Sequence, residues 1–375
     1  MDKWKTCKNI LCIRADNMGD VIMSSPAFRA LKETFGCRIT LLTSSMGSLI
    51  TPFIKEIDET IVFDLPWIKT NNANETDECF QLIEKLKTYQ FEAAIIFTVY
   101  SQNPLPTALL AYMANIPLRL AYCRENPYAL LTDWVADREP YTFIQHQVER
   151  DLSLVKHIGA TTNDDKLHLS FYENDHASCS QKLSARSINV DDGFIILHPG
   201  VSEKKREYPT ELWIETAQLL QEKTGKPILL SGSSAEKNLT DNIQQYAGDG
   251  VYSIAGLLNI GEFISLLAHA QLIVTVNTAT VHIAAAMQTP AVVLYAQTNP
   301  QHEPWKTKAA VLSYSVPVDL QSKNEVIQFV NKHCYSLHIK YPSPQQIMEA
   351  AWSLNNALIP GTLSSIKNIP VSYHY

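Results

Sequence analysis

Twice along this chain, short apolar runs of strand length alternate with longer segments of helical period, and the alternation pauses once in between. In the first half Ile10–Ile13, Ile39–Leu42, Thr60–Phe63 and Ala93–Phe97 read as strands, with helices over 20–35 and 76–89. Val21, Ala27, Ala30 and Leu31 mark the apolar side of the first helix. The second half repeats the pattern. Strands are expected at Phe194–Leu197, Pro227–Leu230, Val251–Ile254, Leu272–Val276 and Ala291–Tyr295, with helices over 209–223, 234–246, 261–269 and 279–287. The first of these helices is the best punctuated: Pro209 lies in its first turn, Trp213, Ala217 and Leu220 recur at helical spacing, and Gly225 follows its end. Such alternation specifies parallel sheets with helices on both faces.

The polar stretch 160–192 has no clear periodicity and reads as a linker. With 375 residues, two domains are expected: 1–170, Rossmann-like, and 185–342, Rossmann-like again. A closing helix near 343–358 and the tail to 375 are expected to pack back on the first domain. Two such α/β halves place a cleft between the carboxyl ends of their sheets, where ligands of open α/β folds bind.

Composition excludes several classes. With 46% apolar residues in interrupted runs, two cores can form, but no stretch approaches the ~20 residues of a membrane-spanning helix. The amino-terminal residues lack the apolar core and cleavage site of a secretory signal, so a cytoplasmic location is expected. A net charge of -7 without a long basic run argues against nucleic acid as a partner. Cysteines at 7, 12, 37, 79, 123, 179 and 334 form no Cys-x-x-Cys pair and read as reduced, mostly buried thiols.

The usual α/β signatures are missing. Neither Gly-x-Gly-x-x-Gly nor a P-loop occurs, no Gly-x-Ser-x-Gly elbow is present, and no Asp-x-Asp offers a metal-held diphosphate site. Three other stretches carry chemistry. Arg14-Ala-Asp-Asn-Met-Gly-Asp20 links the first strand to the first helix, where Asp20 either faces the cleft or caps the helix. Leu197-His-Pro-Gly-Val-Ser-Glu-Lys-Lys-Arg206 combines a glycine turn, the Ser202 hydroxyl and three consecutive cations, which suit an anion or a solvated loop. Val276-Asn-Thr-Ala-Thr-Val-His-Ile-Ala-Ala-Ala286 opens a helix of small residues directly from a strand, presenting free N–H groups suited to a diphosphate.

In this order, the three stretches resemble glycosyltransferase family 9, the ADP-heptose:lipopolysaccharide heptosyltransferases. The likeness extends over Tyr208-Pro209 with Trp213, Gly232-Ser-Ser-Ala-Glu236, Asn277–Ala286 and Gln297-Thr-Asn-Pro300. The resemblance implies a GT-B fold with acceptor recognition mainly in the first half and nucleotide-sugar binding in the second. It places the catalytic aspartate on Asp20, with Asp16 as runner-up. It puts the phosphate-contacting cation on Arg206, with Lys205 beside it, and the nucleoside-contacting acid on Glu236. The donor loop falls on Asn277, Thr278, Ala279, Thr280 and His282. Asn277 stands where the family has a sugar-contacting aspartate and Ala279 where it has a glycine, so donor identity is open at this point.

The implied activity is inverting transfer of a heptose-like sugar from a nucleotide donor to a glycan or glycolipid acceptor, with no metal and no cofactor. Peripheral contact with the cytoplasmic face of the inner membrane is a further expectation. Three alternatives stand beside it: the same fold with another nucleotide sugar, a catalytically silent nucleotide-sugar binder, and, more distantly, an NAD-dependent oxidoreductase. Stretch 98–134, rich in aromatic and hydrogen-bonding side chains, reads as either an acceptor surface or structural turns.

Overall fold

A computed structural model describes residues 2–68, 75–335 and 337–355. The first half forms a parallel six-stranded sheet from β1 (Asn9–Ile13), β2 (Arg38–Thr43), β3 (Glu59–Val62), β4 (Ala93–Ile96), β5 (Leu118–Cys123) and β6 (Asp133–Ala136). The second uses β7 (Ile195–His198), β8 (Ile228–Leu230), β9 (Val251–Ser253), β10 (Leu272–Val276), β11 (Ala291–Ala296) and β12 (Ala309–Tyr314). Their orders are β3-β2-β1-β4-β5-β6 and β12-β11-β10-β7-β8-β9. Numbered from its own first strand, each sheet runs 3-2-1-4-5-6, the doubly wound order. Register is set at the centre, with Ile10 beside Ile39 and Ala93, and Ile273 beside Ile196 and Ala291. These central strands are apolar at consecutive positions because helices cover both faces.

The strand–helix alternation read from sequence is present, and two readings are corrected. The supposed linker contains a helix, Glu173–Ser184, whose Cys179 and Leu183 are buried against the helix Ile260–His269. Its apolar stripe is only two residues wide, too faint to register as periodicity. The closing helix, Pro344–Leu354, packs on the helix Thr210–Thr224 and on β11 and β12, not on the first half. Ile347, Met348 and Ala351 join Trp213, Ala217 and Leu220 in one core, so its narrow stripe is satisfied within the second half. The predicted end of that helix and the tail from 356 lie outside the described residues.

Among the contacts that join the halves, two position the site. The helix Met18–Phe35 packs against the helix Ala279–Met287, and one apolar core runs from Ile22 and Phe28 through Val281 and Ala284. The segment 297–306, leaving β11, also reaches across. Fully buried Gln301 donates to Glu139 Oε1 at 3.0 Å and to the Gln145 carbonyl at 3.2 Å. Trp305 Nε1 donates to the Asp165 carbonyl at 2.7 Å, and Lys306 pairs with the Asp165 carboxylate. Glu139 is in turn held by Arg150, which also pairs with Asp137 and lies over the Tyr122 ring. Among the described residues no helix is long and apolar enough to cross a membrane.

Candidate active site

Each sheet has one place where successive connections leave in opposite directions: between β1 and β4 in the first, between β7 and β10 in the second. Four loops leave the carboxyl ends of these strands. The Arg14–Asp20 loop follows β1, and Thr98–Gln102 follows β4; the Pro199–Arg206 loop follows β7, and Asn277–Thr278 follows β10. Crevices at such points are where doubly wound sheets bind ligands.

Arg14 organises the first half of the site. Its side chain is fully buried, with Nη2 donating to Asp20 Oδ1 at 2.9 Å and Nε 3.2 Å from Asp16 Oδ2. Asp16 Oδ1 also accepts from Gln102 Nε2 at 2.5 Å, joining the β1 and β4 loops. Burial pushes the Asp16 carboxyl up to about 6, with Asp20 adding repulsion against the attraction of Arg14. Burial acts on Asp20 in the same direction, but Arg14 and the neighbouring His302 and His282 outweigh it and hold that carboxyl below its ordinary value. Both histidines are neutral near pH 7, so Arg14 carries the effect there. The helix starts at Met18, with Asn17 as its N-cap, and Asp20 is its third residue. The Asp20 side chain therefore pairs with Arg14 rather than capping the helix.

The second half brings its own groups to the same place. A Cβ placed on Gly19 would lie 3.3 Å from Ala279 Cα and 2.9 Å from His282 Cδ2, so the two loops touch. The helix Ala279–Met287 has Thr278 as N-cap with no side-chain cap bond. His282 is buried and His302 half-buried, and desolvation pushes their imidazoles down to about 3 and about 4. Arg206 Nη1 donates to the Asn277 carbonyl at 3.0 Å, and its Nη2 pairs with Glu203, which also pairs with Lys205. Arg206 and Arg14 both act on His302, which marks how tightly the two halves' charges gather. Arg14 Nη1, Arg206 Nε, Thr278 Oγ1 and His282 Nδ1 are buried without a hydrogen-bond partner. Unmet polar atoms in such number on facing loops are a mark of a ligand site.

Beside these loops lies a cleft of about 590 Å³ between the halves. Trp67, Ser101 and Gln102 line it from the first, and Ser202, Lys204 and Lys205 from the second.

Comparison with known proteins decides the family. The model described as glycosyltransferase family 9 (heptosyltransferase) matches residues 79–327. The chain belongs to that family. It is a glycosyltransferase. Among curated relatives, lipooligosaccharide heptosyltransferase 2 of Haemophilus influenzae is 25% identical over 308 residues, covering 79% of this chain and 85% of the relative. The family 9 glycosyl transferase of Veillonella parvula superposes with a TM-score of 0.74 at 18% identity, covering 93% of this chain and 97% of that one. ADP-heptose lps heptosyltransferase II of Escherichia coli gives 0.68 at 21%, covering 92% and 98%. The fold is GT-B. The family match starts beyond the Arg14–Asp20 loop, and the Arg14 pair with the Gly19–Ala279 contact brings Asp20 to the second half's loops.

Within this family 9 fold the expected site residues divide into two groups. Asp20, Arg206, Thr278, Ala279 and His282 gather at the contact between the loops, Thr280 is buried in the first turn of the helix Ala279–Met287, and Ser202 and Lys205 line the adjoining cleft. Asn277 departs from the expectation that its amide addresses the donor. Its Nδ2 donates to the Ala296 carbonyl at 3.2 Å and to Thr298 Oγ1 at 3.0 Å, while its Oδ1 accepts from Ala296 N–H at 3.1 Å. The side chain ties the ends of β10 and β11 together, and only its carbonyl is offered toward Arg206. Glu236 closes a capping box on Ser233, with its carboxylate against Gly200 of the β7 loop. His302 was missed by sequence reading. It belongs to no regular motif, and its signal was only its place after Gln297-Thr-Asn-Pro300.

Proposed function

We propose that this cleft transfers a heptose-like sugar from a nucleotide donor, ADP-heptose or a close relative, to a glycan or glycolipid acceptor with inversion and without a metal ion. The observation that carries the reading is the meeting of a first-half carboxylate, Asp20, with a second-half helix N-terminus and cation across the Gly19–Ala279 contact. Arg14 anchors the Asp20 carboxylate through Oδ1, and that carboxylate takes the proton from the acceptor hydroxyl. The acceptor oxygen bonds to the anomeric carbon as the bond from that carbon to the diphosphate breaks on the opposite face. The departing charge is met by Arg206, Lys205 and the first N–H groups of the helix Ala279–Met287. Glu236, at the end of β8 beside the β7 turn, suits the nucleoside. The donor follows the printed name of the Escherichia coli neighbour, and a saccharide acceptor follows those of the relatives. The first domain, 1–170, then supplies the base and the second, 185–342, the donor site. The enzyme works at the cytoplasmic face of the membrane wherever its acceptor is a glycolipid.

Asp16 supports a second assignment of the base, because its carboxyl, at about 6, is better matched to neutral pH than that of Asp20. It is also pinned by both Arg14 and Gln102, which favours Asp20. Release of ADP from ADP-heptose, with deacylated lipooligosaccharide core as acceptor, separates the two. Asp20→Asn is expected to lose roughly two to four orders of magnitude in turnover, as removal of a general base does. Loss in Asp16→Asn alone moves the base. Activity in excess EDTA tests metal independence; a loss restored by magnesium overturns it.

A further inference from the structure

We infer that His302, supplied by the second half, is the proton acceptor behind Asp20: it receives the proton that Asp20 takes from the acceptor hydroxyl and passes it to solvent. The inference rests on Asp20 being the base. Its grounds are geometric. His302 Nε2 lies 3.7 Å from Asp20 Oδ1, the same oxygen that faces Arg14. Asn299 Nδ2 lies 3.2 Å from that Nε2, and Asn299 Oδ1 is committed to the backbone N–H of Gln301 at 3.0 Å. The amide therefore turns its NH2 group to the imidazole, which identifies Nε2 as the unprotonated, accepting nitrogen. A carboxylate oxygen and a bare ring nitrogen thus face each other with no proton between them, just beyond hydrogen-bonding distance. A proton on Asp20 lets the imidazole exchange its contact with the Asn299 amide for one with the carboxyl.

The rest of the segment explains why a second-half residue can hold this position. Gln301 is bound to Glu139 and the Gln145 carbonyl, the Glu303 carbonyl lies 2.8 Å from His146 Nε2, and Trp305 and Lys306 are anchored on Asp165. His302 sits at the centre of that clamp. Its side chain keeps 21% exposure, which leaves a way out for the proton. The charged and titratable groups around it are Asp20 and Arg14, then Arg206, and the imidazoles of His146 and His282. Burial and the two guanidiniums make the imidazolium short-lived, so the site returns to its neutral form after each turn. In the balanced step the acceptor oxygen bonds to the anomeric carbon, the carbon–diphosphate bond breaks, and one proton moves from hydroxyl to Asp20 to His302 to water.

Two measurements test this. The first needs no sugar: nitrogen NMR of the histidine rings in the wild type and in Asp20→Asn. The His302 titration midpoint is expected to fall in the variant, because a negative neighbour is removed. An unchanged midpoint overturns the coupling. The second is turnover, as ADP release from ADP-heptose with deacylated lipooligosaccharide core, with ADP affinity and melting temperature alongside. His302→Gln is expected to lower kcat about 10- to 100-fold, the low end of what acid–base groups contribute, with KM and ADP affinity near wild type. Added imidazole is expected to restore part of kcat in His302→Ala, in proportion to its unprotonated fraction. Near-normal kcat in His302→Gln, with Asp20→Asn inactive, refutes the relay while leaving Asp20 as the base. Loss of ADP affinity without rescue by imidazole assigns His302 a structural role and refutes it too. Near-normal turnover in Asp20→Asn removes the base itself, and the relay with it.

Discussion

Gly19 in the first half and His282 in the second approach so closely that a methyl group on Gly19 would lie 2.9 Å from the imidazole Cδ2 and 3.3 Å from Ala279 Cα. Helix propensity alone would favour Gly19→Ala by up to about 1 kcal/mol. The contact reverses that sign, since overpacking costs typically about 1–3 kcal/mol and backbone stands on one side. Gly19→Ala is expected to lower the melting temperature and turnover together. A variant more stable than wild type with full activity would show that the interface has slack.

Fully buried Arg14 is the counter-ion for two half-buried carboxylates, Asp16 and Asp20, with Asp151 also within its field. Arg14→Met leaves them without a cation, a change that costs about 3–5 kcal/mol where one partner of a buried pair is removed. The variant is expected to unfold at lower denaturant concentration, and more so at pH 8 than at pH 5, where protonation relieves the repulsion. Equal loss at both values would assign the effect to packing.

All the polar atoms of the Asn277 amide are used within the protein, two of the contacts on Ala296 alone. Asn277→Asp keeps the acceptor but sets a carboxylate oxygen against the Ala296 carbonyl. A destabilisation of about 1–3 kcal/mol is expected, the scale of a buried polar group left unmatched. Donor preference, measured over a panel of nucleotide sugars, is expected to stay where it is in wild type. A shift toward one sugar with unchanged stability would return this position to the donor site.

Arg206 and Lys205 share Glu203, whereas among the described residues Lys204 makes no ion pair. On the proposed reading Arg206→Ala removes a charge-assisted contact to the donor's diphosphate, worth about 1.5–3 kcal/mol, and ADP affinity is expected to fall tenfold or more. Calorimetry with ADP reads it. Affinity equal to wild type would leave Arg206 with its structural partners, the Asn277 carbonyl and Glu203.

The histidines also predict behaviour in acid. His282 and His302 titrate at about 3 and about 4 in the folded protein, against an ordinary 6.5. Between these values the unfolded chain binds more protons than the folded one, so stability is full above about 6.5 and falls as the pH drops toward the folded values. Melting temperatures from pH 7.5 to 4.5 are expected to decline, and His282→Asn to flatten the decline. The raised carboxyl of Asp16 works the other way from about pH 6 down, which makes the His282 variant the cleaner measurement.

Much of this fold could be read in advance because buried parallel strands announce themselves. Leu272–Val276 and the helix from Ala279 to Met287 fall where the apolar runs and small residues put them. The missing pieces have weaker patterns. In β12 five of six residues are only half-buried, and β6 alternates half-buried with exposed, as edge strands do, so neither is as apolar over its length as the central strands. For the site, sequence order brought Asp20, Arg206 and His282 to mind but not their partners. That Arg14 turns inward follows from two carboxylates placed two and six residues after it, which spacing alone does not reveal. The use of Asn277 as a tie between strands depends on the Ala296 backbone, a contact between residues 19 apart.

The clamp formed by 297–306 has a consequence for anyone recombining this enzyme with its relatives. A chimera cut in the stretch between the two sheets would exchange Asp20 and Glu139 together, yet leave Gln301 and His302 with the other parent. The unit of inheritance around Asp20 is thus split between two segments some 280 residues apart in the chain, counting from Asp20 to His302. Acceptor and donor halves that each fold well would still meet with a mismatched seam. Domain-swapping designs in this family should therefore graft the segment after β11 along with the first half, so that the parent that contributes Asp20 also contributes the residues that face it.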